Sequence, residues 1–246
     1  MRALASLVLA ALALAAPARA SPRVFSLDQC ADQFVLALAP RSDIVGLSMR
    51  ADDPDSHLRA DAGGLPLRRA TLESALAARP DLVVRYWGGE PGLVRRLQAR
   101  GVRVVTLEDA ADFDGVRRNV RAVAAALGRA DRGETLVSRM DGQLAAGQGA
   151  WGGSGALYLT SGGFTTGPGG LIDAILRAAG MSNLVRRPGY AAVPLEQLVL
   201  HPPAAFVLGF FDRAGLAGQS RSLAERPVLR RVMAGRPATS LPSDLL

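Results

Sequence analysis

At 246 residues, 49% of them hydrophobic and 21% charged, the chain is long enough to bury a core, as one large domain or two small lobes, and too apolar to be disordered. Its formal charge of +7 comes from 29 basic and 22 acidic residues, every base being arginine. These arginines are scattered through helical stretches (Arg95-Arg96, Arg117-Arg118, Arg230-Arg231), with no basic block or aromatic–basic interleaving, which argues against a nucleic-acid surface.

The N-terminus reads as a secretory signal peptide over residues 1–20. Met1-Arg2 is a short positive start, Ala3 to Ala16 is an apolar run, and Ala18-Arg19-Ala20 is a small-x-small cleavage site. The run is too short for a membrane span, and no later stretch is long and apolar enough for one. No cysteine stands at the cleavage point, so no lipid anchor is indicated. The mature protein is expected to be exported, soluble and monomeric, without membrane insertion. Cys30 is the only cysteine and has no internal disulfide partner. His57 and His201, far apart, make no metal site with it. Both are expected to be structural or exposed.

The predicted elements then alternate. Arg23 to Leu27 reads as a strand, Asp32 to Ala39 as a helix, Ile44 to Leu47 as a strand, and Ala51 to Leu67 as a loop. Leu72 to Ala78 is a short helix, Asp81 to Arg85 a buried strand, Pro91 to Arg100 a helix with proline in its first turn, and Val102 to Leu107 a strand. Phe113 to Ala146 is helical throughout and divided at Gly128. In its second part Leu136, Met140 and Leu144 form one apolar face. After a glycine-rich stretch, Ala156 to Leu159 is a strand, Thr160 to Gly170 a Ser/Thr/Gly loop, and Leu171 to Ala179 a helix stopped by Gly180. Leu195 to Leu200 is a short helix, Ala205 to Leu208 a strand, and Leu223 to Met233 a helix. Strand–helix alternation on both sides of a helical middle predicts two α/β lobes with mostly parallel sheets. The boundaries fall at residues 21–128, 129–150 for the connecting helix and linker, and 151–246.

One pattern occurs in both lobes. Leu72-Glu73, Leu76, Pro80 and a strand at Leu82 match Leu195-Glu196, Val199, Pro203 and a strand at Phe206. Each glutamate lies in the first turn of a short helix, where a carboxylate favours the helix dipole and the free amides. Capping alone explains one such residue; the matched placement of two points to a shared role.

With these segments in view, the sequence resembles the periplasmic substrate-binding proteins of ABC importers for cobalamin and ferric siderophores, with haem binders among their relatives. The resemblance runs from Arg23 to the end. It is carried by Val24 to Asp32, Leu72-Glu73 to Val84, Gly101 to Val105, Gly162 to Gly169 and Pro194 to Leu198 in their order and spacing. It implies a class III periplasmic-binding-protein-like α/β fold, with two lobes bridged by one long rigid helix and the ligand held between them. It also implies a periplasmic location, a permease with its ATPase subunits as partner, no cofactor, no catalysis, and docking of Glu73 and Glu196 onto permease arginines. Relatives usually continue through a further C-terminal helix.

In parallel sheets ligands lie beyond the carboxyl ends of the strands. Asp28, Ser48, Tyr86, Trp87 and Gly88 are therefore candidates in the first lobe, and Ser161, Gly163, Phe164, Thr165 and Phe210 in the second; Tyr190, in a polar segment before Pro194, is a further candidate. Aromatic walls with a few polar groups suit a large planar ligand. Cobalamin, a ferric siderophore and haem all fit, with cobalamin favoured by the Ser26 to Asp32 segment and the Trp87-Gly88-Gly89 turn. The competing reading is an exported α/β enzyme whose glycine-rich loop 162–170 cradles a phosphate. That loop has neither the Lys-Ser/Thr of a P-loop nor the full Gly-x-Gly-x-x-Gly spacing, and the chain has no Gly-x-Ser-x-Gly elbow.

Overall fold

The computed structural model describes residues 21–213 and 226–245. The predicted signal peptide, residues 1–20, lies outside them, as do residues 223–225 of the last predicted helix. The first lobe runs β1 (Val24–Ser26), α1 (Gln29–Leu38), β2 (Ile44–Ser48), α2 (Arg59–Ala62), β3 (Leu67–Arg68), α3 (Leu72–Ala78), β4 (Leu82–Arg85), α4 (Pro91–Gln98), β5 (Arg103–Thr106) and α5 (Phe113–Ala126). The connecting helix is α6 (Ala130–Gly147). The second lobe runs β6 (Gly155–Thr160), β7 (Phe164–Thr166), α7 (Leu171–Ala178), β8 (Ser182–Asn183), β9 (Tyr190–Ala192), α8 (Leu195–Leu200), β10 (Ala205–Gly209), α9 (Pro227–Met233) and β11 (Ala238–Leu241).

The first sheet has the order β3-β2-β1-β4-β5 and the second β11-β10-β6-β8, and every pairing in both is parallel. Parallel strands are covered on both faces, so successive residues feed two cores. Val24, Leu82 and Val84 point into a core with α1 and α5, while Phe25 and Val83 point into one with Ala75, Leu93 and Leu97. The second lobe repeats this: Leu157, Leu159, Phe206 and Leu208 share one core with Leu198 and Leu229, and Ala156, Tyr158, Ala205 and Val207 share the other with Leu176.

Three local expectations are corrected. The predicted loop over Ala51 to Leu67 contains α2 and ends in β3, elements of four and two residues that are too short to show a period. The predicted loop over Thr160 to Gly170 contains β7, which pairs antiparallel with β9, so Phe164 faces Ala192 and Thr166 faces Tyr190. The face of Leu136, Met140 and Leu144 on α6 is only half-buried; the fully buried positions are Gly133 and Val137.

Gly133 is small for a reason: a β-carbon there would lie 2.5 Å from the Ala124 β-carbon of α5. The same helix pair is tied by Arg117 to Asp141 and by Arg121 to Glu134. Eighteen residues at 1.5 Å rise make α6 about 27 Å long. Across the lobes, Asp244 reaches back to His57 and Arg59.

Candidate functional site

Each sheet reverses its strand order once. In the first sheet the chain winds from β1 outward through β2 and β3, then crosses to β4 on the other side of β1. In the second, β8 lies on one side of β6 and β10 on the other. The crevice at such a reversal lies beyond the carboxyl ends of the two diverging strands. In the first lobe this brings Asp28, after β1, against Tyr86-Trp87-Gly88, after β4. In the second it brings Ser161, after β6, against Phe210, after β10, with Ser161 N–H donating to the Gly209 carbonyl at 3.0 Å.

Asp28 organises the first wall. It is 3% exposed. One carboxylate oxygen caps α1 by accepting from Ala31 N–H at 2.9 Å, and the other accepts from Tyr86 N–H at 2.7 Å and Gly88 N–H at 2.9 Å. The Trp87 carbonyl accepts from Arg85 at 2.9 Å. The backbone on both sides of Trp87 is thus held, while its ring stands 60% exposed. A rigid backbone with a free aromatic face is preorganised for a planar ligand.

Asp32, in the next turn of α1, accepts from both the amide and the hydroxyl of Ser48 and so fixes the end of β2. Burial pushes its carboxyl up, and the two Ser48 bonds oppose that rise. Asp28, Ser48 and Gly88 therefore stand where strand ends predict them but are buried, and they form the support of the wall rather than its surface.

The second wall is the β7–β9 hairpin with the end of β10. Phe164 and Phe210 are exposed, and Tyr190 is 73% exposed. Phe210 has φ +63, a left-handed conformation that a bulky residue adopts only where its surroundings impose it. Gly163 turns the chain from β6 into β7 with φ +84. Thr165 departs from expectation: it is buried, and its hydroxyl has no hydrogen-bond partner among the described residues. It lines a recess of about 340 Å³ between the hairpin and α8, with Val193, Leu198 and His201. The alternation of a strand sends Phe164 and Thr165 to opposite faces, which a loop reading does not anticipate.

The two walls approach each other. A hydrogen bond to Asp109, burial and the Asp109 charge push the Tyr86 phenol up to about 12, with smaller contributions from Cys30 and from Tyr190 of the second lobe. Burial and then Tyr190 push Tyr158 up to about 12. Cys30 reaches solvent beside Trp87. Partial desolvation and the Asp28 charge push its thiol up, and a hydrogen bond with Trp87 opposes them. Asp109 was not singled out from the sequence, although it lies just beyond β5, where the strand-end rule applies. Among the described residues no group of three His, Cys, Asp or Glu is placed to hold a metal ion. No helix among them is long and apolar enough to cross a membrane.

The absence of lysine makes the tyrosines directly readable. Arginine stays protonated throughout the alkaline range, so the raised phenols of Tyr86 and Tyr158 are read without a lysine background. A raised phenol contributes stability that is intact below the unfolded value of 10 and is lost as pH rises toward the folded value of about 12. Stability is therefore expected to fall between pH 10 and 12. The 295 nm absorbance should show a late phase near pH 12 that Tyr86→Phe and Tyr158→Phe each diminish. A single phase complete by pH 10.5 would contradict this.

The phosphate-cradle alternative finds less room than the sequence allowed. Phe164 N–H donates to the Thr160 hydroxyl, Gly163 N–H to the Thr160 carbonyl and Gly167 N–H to the Gly189 carbonyl.

Two lobes with parallel sheets, bridged by one helix, define the class III periplasmic-binding fold. The periplasmic binding protein family model matches residues 24–234, and the chain belongs to that family. Among curated protein sequences none matches it significantly. Solved structures do. The periplasmic heme-binding protein BhuT, in complex with two hemes, is 26% identical with a TM-score of 0.68, over 91% of this chain and 90% of that one. HutB of Vibrio cholerae, a periplasmic heme-binding protein, is 16% identical with a TM-score of 0.71, over 91% of each chain. The periplasmic heme-binding protein RhuT from Roseiflexus sp. RS-1 is 23% identical with a TM-score of 0.67, over 90% and 89%. The fold and the family are those of the substrate-binding proteins of ABC importers for iron chelates and cobalamin.

Proposed function

We propose that this protein is an exported, periplasmic receptor that binds cobalamin or a related iron chelate, haem included, between lobes 21–128 and 151–246 and delivers it to an ABC permease. The observation that carries this reading is the pair of aromatic walls at matching switch points, Tyr86 and Trp87 opposite Phe164, Tyr190 and Phe210. Four of these five rings are substantially exposed. Exposed rings held on a fixed backbone suit a large flat ligand and serve no purpose in a core. The likeness to heme-binding structures supports a tetrapyrrole-sized chelate. Binding and release require no bond to be made or broken, so the role needs no catalytic group. Docking through Glu73 and Glu196 completes the proposal.

Tryptophan emission tests it. Mature protein is titrated in turn with cyanocobalamin, hemin and a ferric siderophore. Saturable quenching by one of them is expected, and Trp87→Phe, which leaves Trp151 as reporter, should abolish most of it. Trp87→Ala should weaken affinity about tenfold, the loss expected of a central aromatic anchor. Correctly folded protein that binds none of the three would overturn the reading.

A further inference from the structure

The connecting helix α6 divides unevenly between the lobes. As far as Asp141 it is built into the first. Val137 is buried in the core that holds Val24 and Ala31, and Gly133 lies against Ala124 of α5. Arg117 and Arg121 of α5 reach Asp141 and Glu134, and Arg132 donates to the Ala37 carbonyl at the end of α1 at 2.7 Å. Beyond Asp141 this packing stops. Residues 142–148 are exposed except for the half-buried Leu144, and a β-carbon at Gly142 or Gly147 would meet nothing within 4 Å. Glycine loses more backbone freedom on folding than any other residue, so two glycines weaken this last stretch of helix.

The second lobe takes hold at Gly149. The N–H groups of Gly149, Trp151 and Gly153 donate to the carbonyls of Ala178, Ala179 and Gly180 at 3.0, 2.9 and 2.7 Å. These are acceptors that the end of α7 would otherwise leave open. Trp151 also packs against the core that holds Tyr158 and Leu176. Along α6, the chain between two firmly packed bodies is thus reduced to residues 142–148. Hinges are typically a few residues at the end of an element, often small ones, and Gly142, Ala145, Ala146 and Gly147 have that character.

The lobes are joined a second time through the C-terminal segment. Asp212 accepts from the amide and the hydroxyl of Ser243 at 3.0 and 2.9 Å, which ties the segment to the second lobe. The next residue, Asp244, crosses to the first lobe, 3.1 Å from His57 Nδ1 and 3.9 Å from Arg59. Both of those side chains are about half-exposed, so the contact is of a kind that water readily replaces.

We infer that the second lobe swings on residues 142–148, with the rest of α6 moving as part of the first lobe, and that the contact of Asp244 with His57 and Arg59 is the latch that sets the resting width of the cleft. A helix packed along one lobe cannot bend in its middle, but its free end can. The device deepens the proposed function: a large chelate enters and leaves only when the walls part, and parting costs the latch. Hinge and latch themselves need no ligand, so they are tested on ligand-free protein.

Spin labels are placed pairwise through Arg96→Cys on α4, Ser138→Cys on α6 and Arg231→Cys on α9, in full-length protein carrying Cys30→Ser, and distances are read by double electron–electron resonance. The expected result is one sharp 96–138 distance, with the 96–231 and 138–231 distances broad. Gly142→Ala together with Gly147→Ala should narrow both broad distributions. Asp244→Ala and His57→Ala should each raise the wider population about two- to fivefold, the range open to an exposed ion pair. The two combined should do no more than Asp244→Ala alone, because they break one contact. A sharp 138–231 distance with a broad 96–138 distance would put α6 in the second lobe and overturn the hinge. Three sharp distances, or distributions unaltered by Asp244→Ala, would overturn the device. Wild-type protein that binds a chelate but shows no hinge sinks this inference alone; wild-type protein that shows the hinge but binds no chelate sinks the proposed function alone.

Discussion

Replacing Asp28 by alanine is expected to cost about 3–5 kcal/mol of stability, the loss typical of breaking a buried, charged hydrogen-bond network. Three backbone amides converge on this carboxylate, from Ala31, Tyr86 and Gly88. Without it, all three would be left in a site from which water is excluded. The carboxylate also joins the start of α1 to the turn after β4, so its loss frees the backbone on which Trp87 stands. Chelate affinity should fall together with stability. Asp28→Asn separates the two effects: the amide oxygen still accepts from the Tyr86–Gly88 turn, but its NH2 then faces the Ala31 amide. The expected cost is about 2 kcal/mol, from the lost cap, with affinity better kept than in the alanine variant. Urea unfolding monitored by circular dichroism, alongside chelate titration, checks both. An alanine variant within 1 kcal/mol of wild type would show that Asp28 does not organise the wall.

What the sequence made legible follows the length of its patterns. The helix over Leu72 to Ala78 coincides with α3 because Thr71 accepts from Ser74 N–H at one end and Pro80 follows the other. The strands at Leu82 and Ala205 were readable as short apolar runs between turn residues. By contrast β3, β8 and β9, of two or three residues, carry no period, and their pairing is set by partners far away in sequence. The candidate site was read from strand ends, and strand ends alone do not say which side chain turns inward. Trp87, Phe164 and Phe210 are exposed and Asp28, Ser48 and Thr165 are buried, although all six satisfied the same rule. For Asp28 and Ser48 the difference lies in hydrogen-bond partners, a carboxylate under three amides and a serine under Asp32, which no linear pattern records; for Thr165 it lies in the alternation of a three-residue strand too short to show a period.

The two lobes solve one problem with different parts. Both place aromatic side chains at a switch point and both must hold them outward against the tendency of aromatic rings to bury. The first lobe does so with a buried carboxylate beneath a turn. The second uses a two-stranded hairpin and, at Phe210, a left-handed backbone. Strain of that kind costs of order 1–3 kcal/mol and persists only where the surroundings impose it. The pseudo-symmetry visible in the Glu73 and Glu196 motifs is therefore one of topology, not of the residues that would face the ligand. An asymmetric pocket built on a symmetric frame suits a chelate whose two faces differ.

Gly88→Ala is expected to be the most damaging single-methyl change in the first lobe. A β-carbon at Gly88 would lie 2.5 Å from the Leu27 carbonyl oxygen and 2.8 Å from the Asp28 side chain. Neither can yield cheaply. Leu27 N–H is bonded to the Val84 carbonyl, which keeps the end of β1 against β4, and the Asp28 carboxylate is committed to its three amides. The methyl must therefore either part the two strands or push the turn off the carboxylate. The expected loss is about 3 kcal/mol or more, above the usual range for overpacking by one carbon, with the emission maximum of Trp87 shifted. Gly89→Ala makes a useful contrast. Its φ of +73 imposes a left-handed penalty of about 1–2 kcal/mol, but its nearest obstacles are the side-chain methyls of Leu27 and Leu93, which can rotate away. Gly88→Ala should therefore unfold at lower urea than Gly89→Ala. The reverse order would mean that the turn gives way more easily than its hydrogen bonds imply, and that Trp87 is held by something other than Asp28.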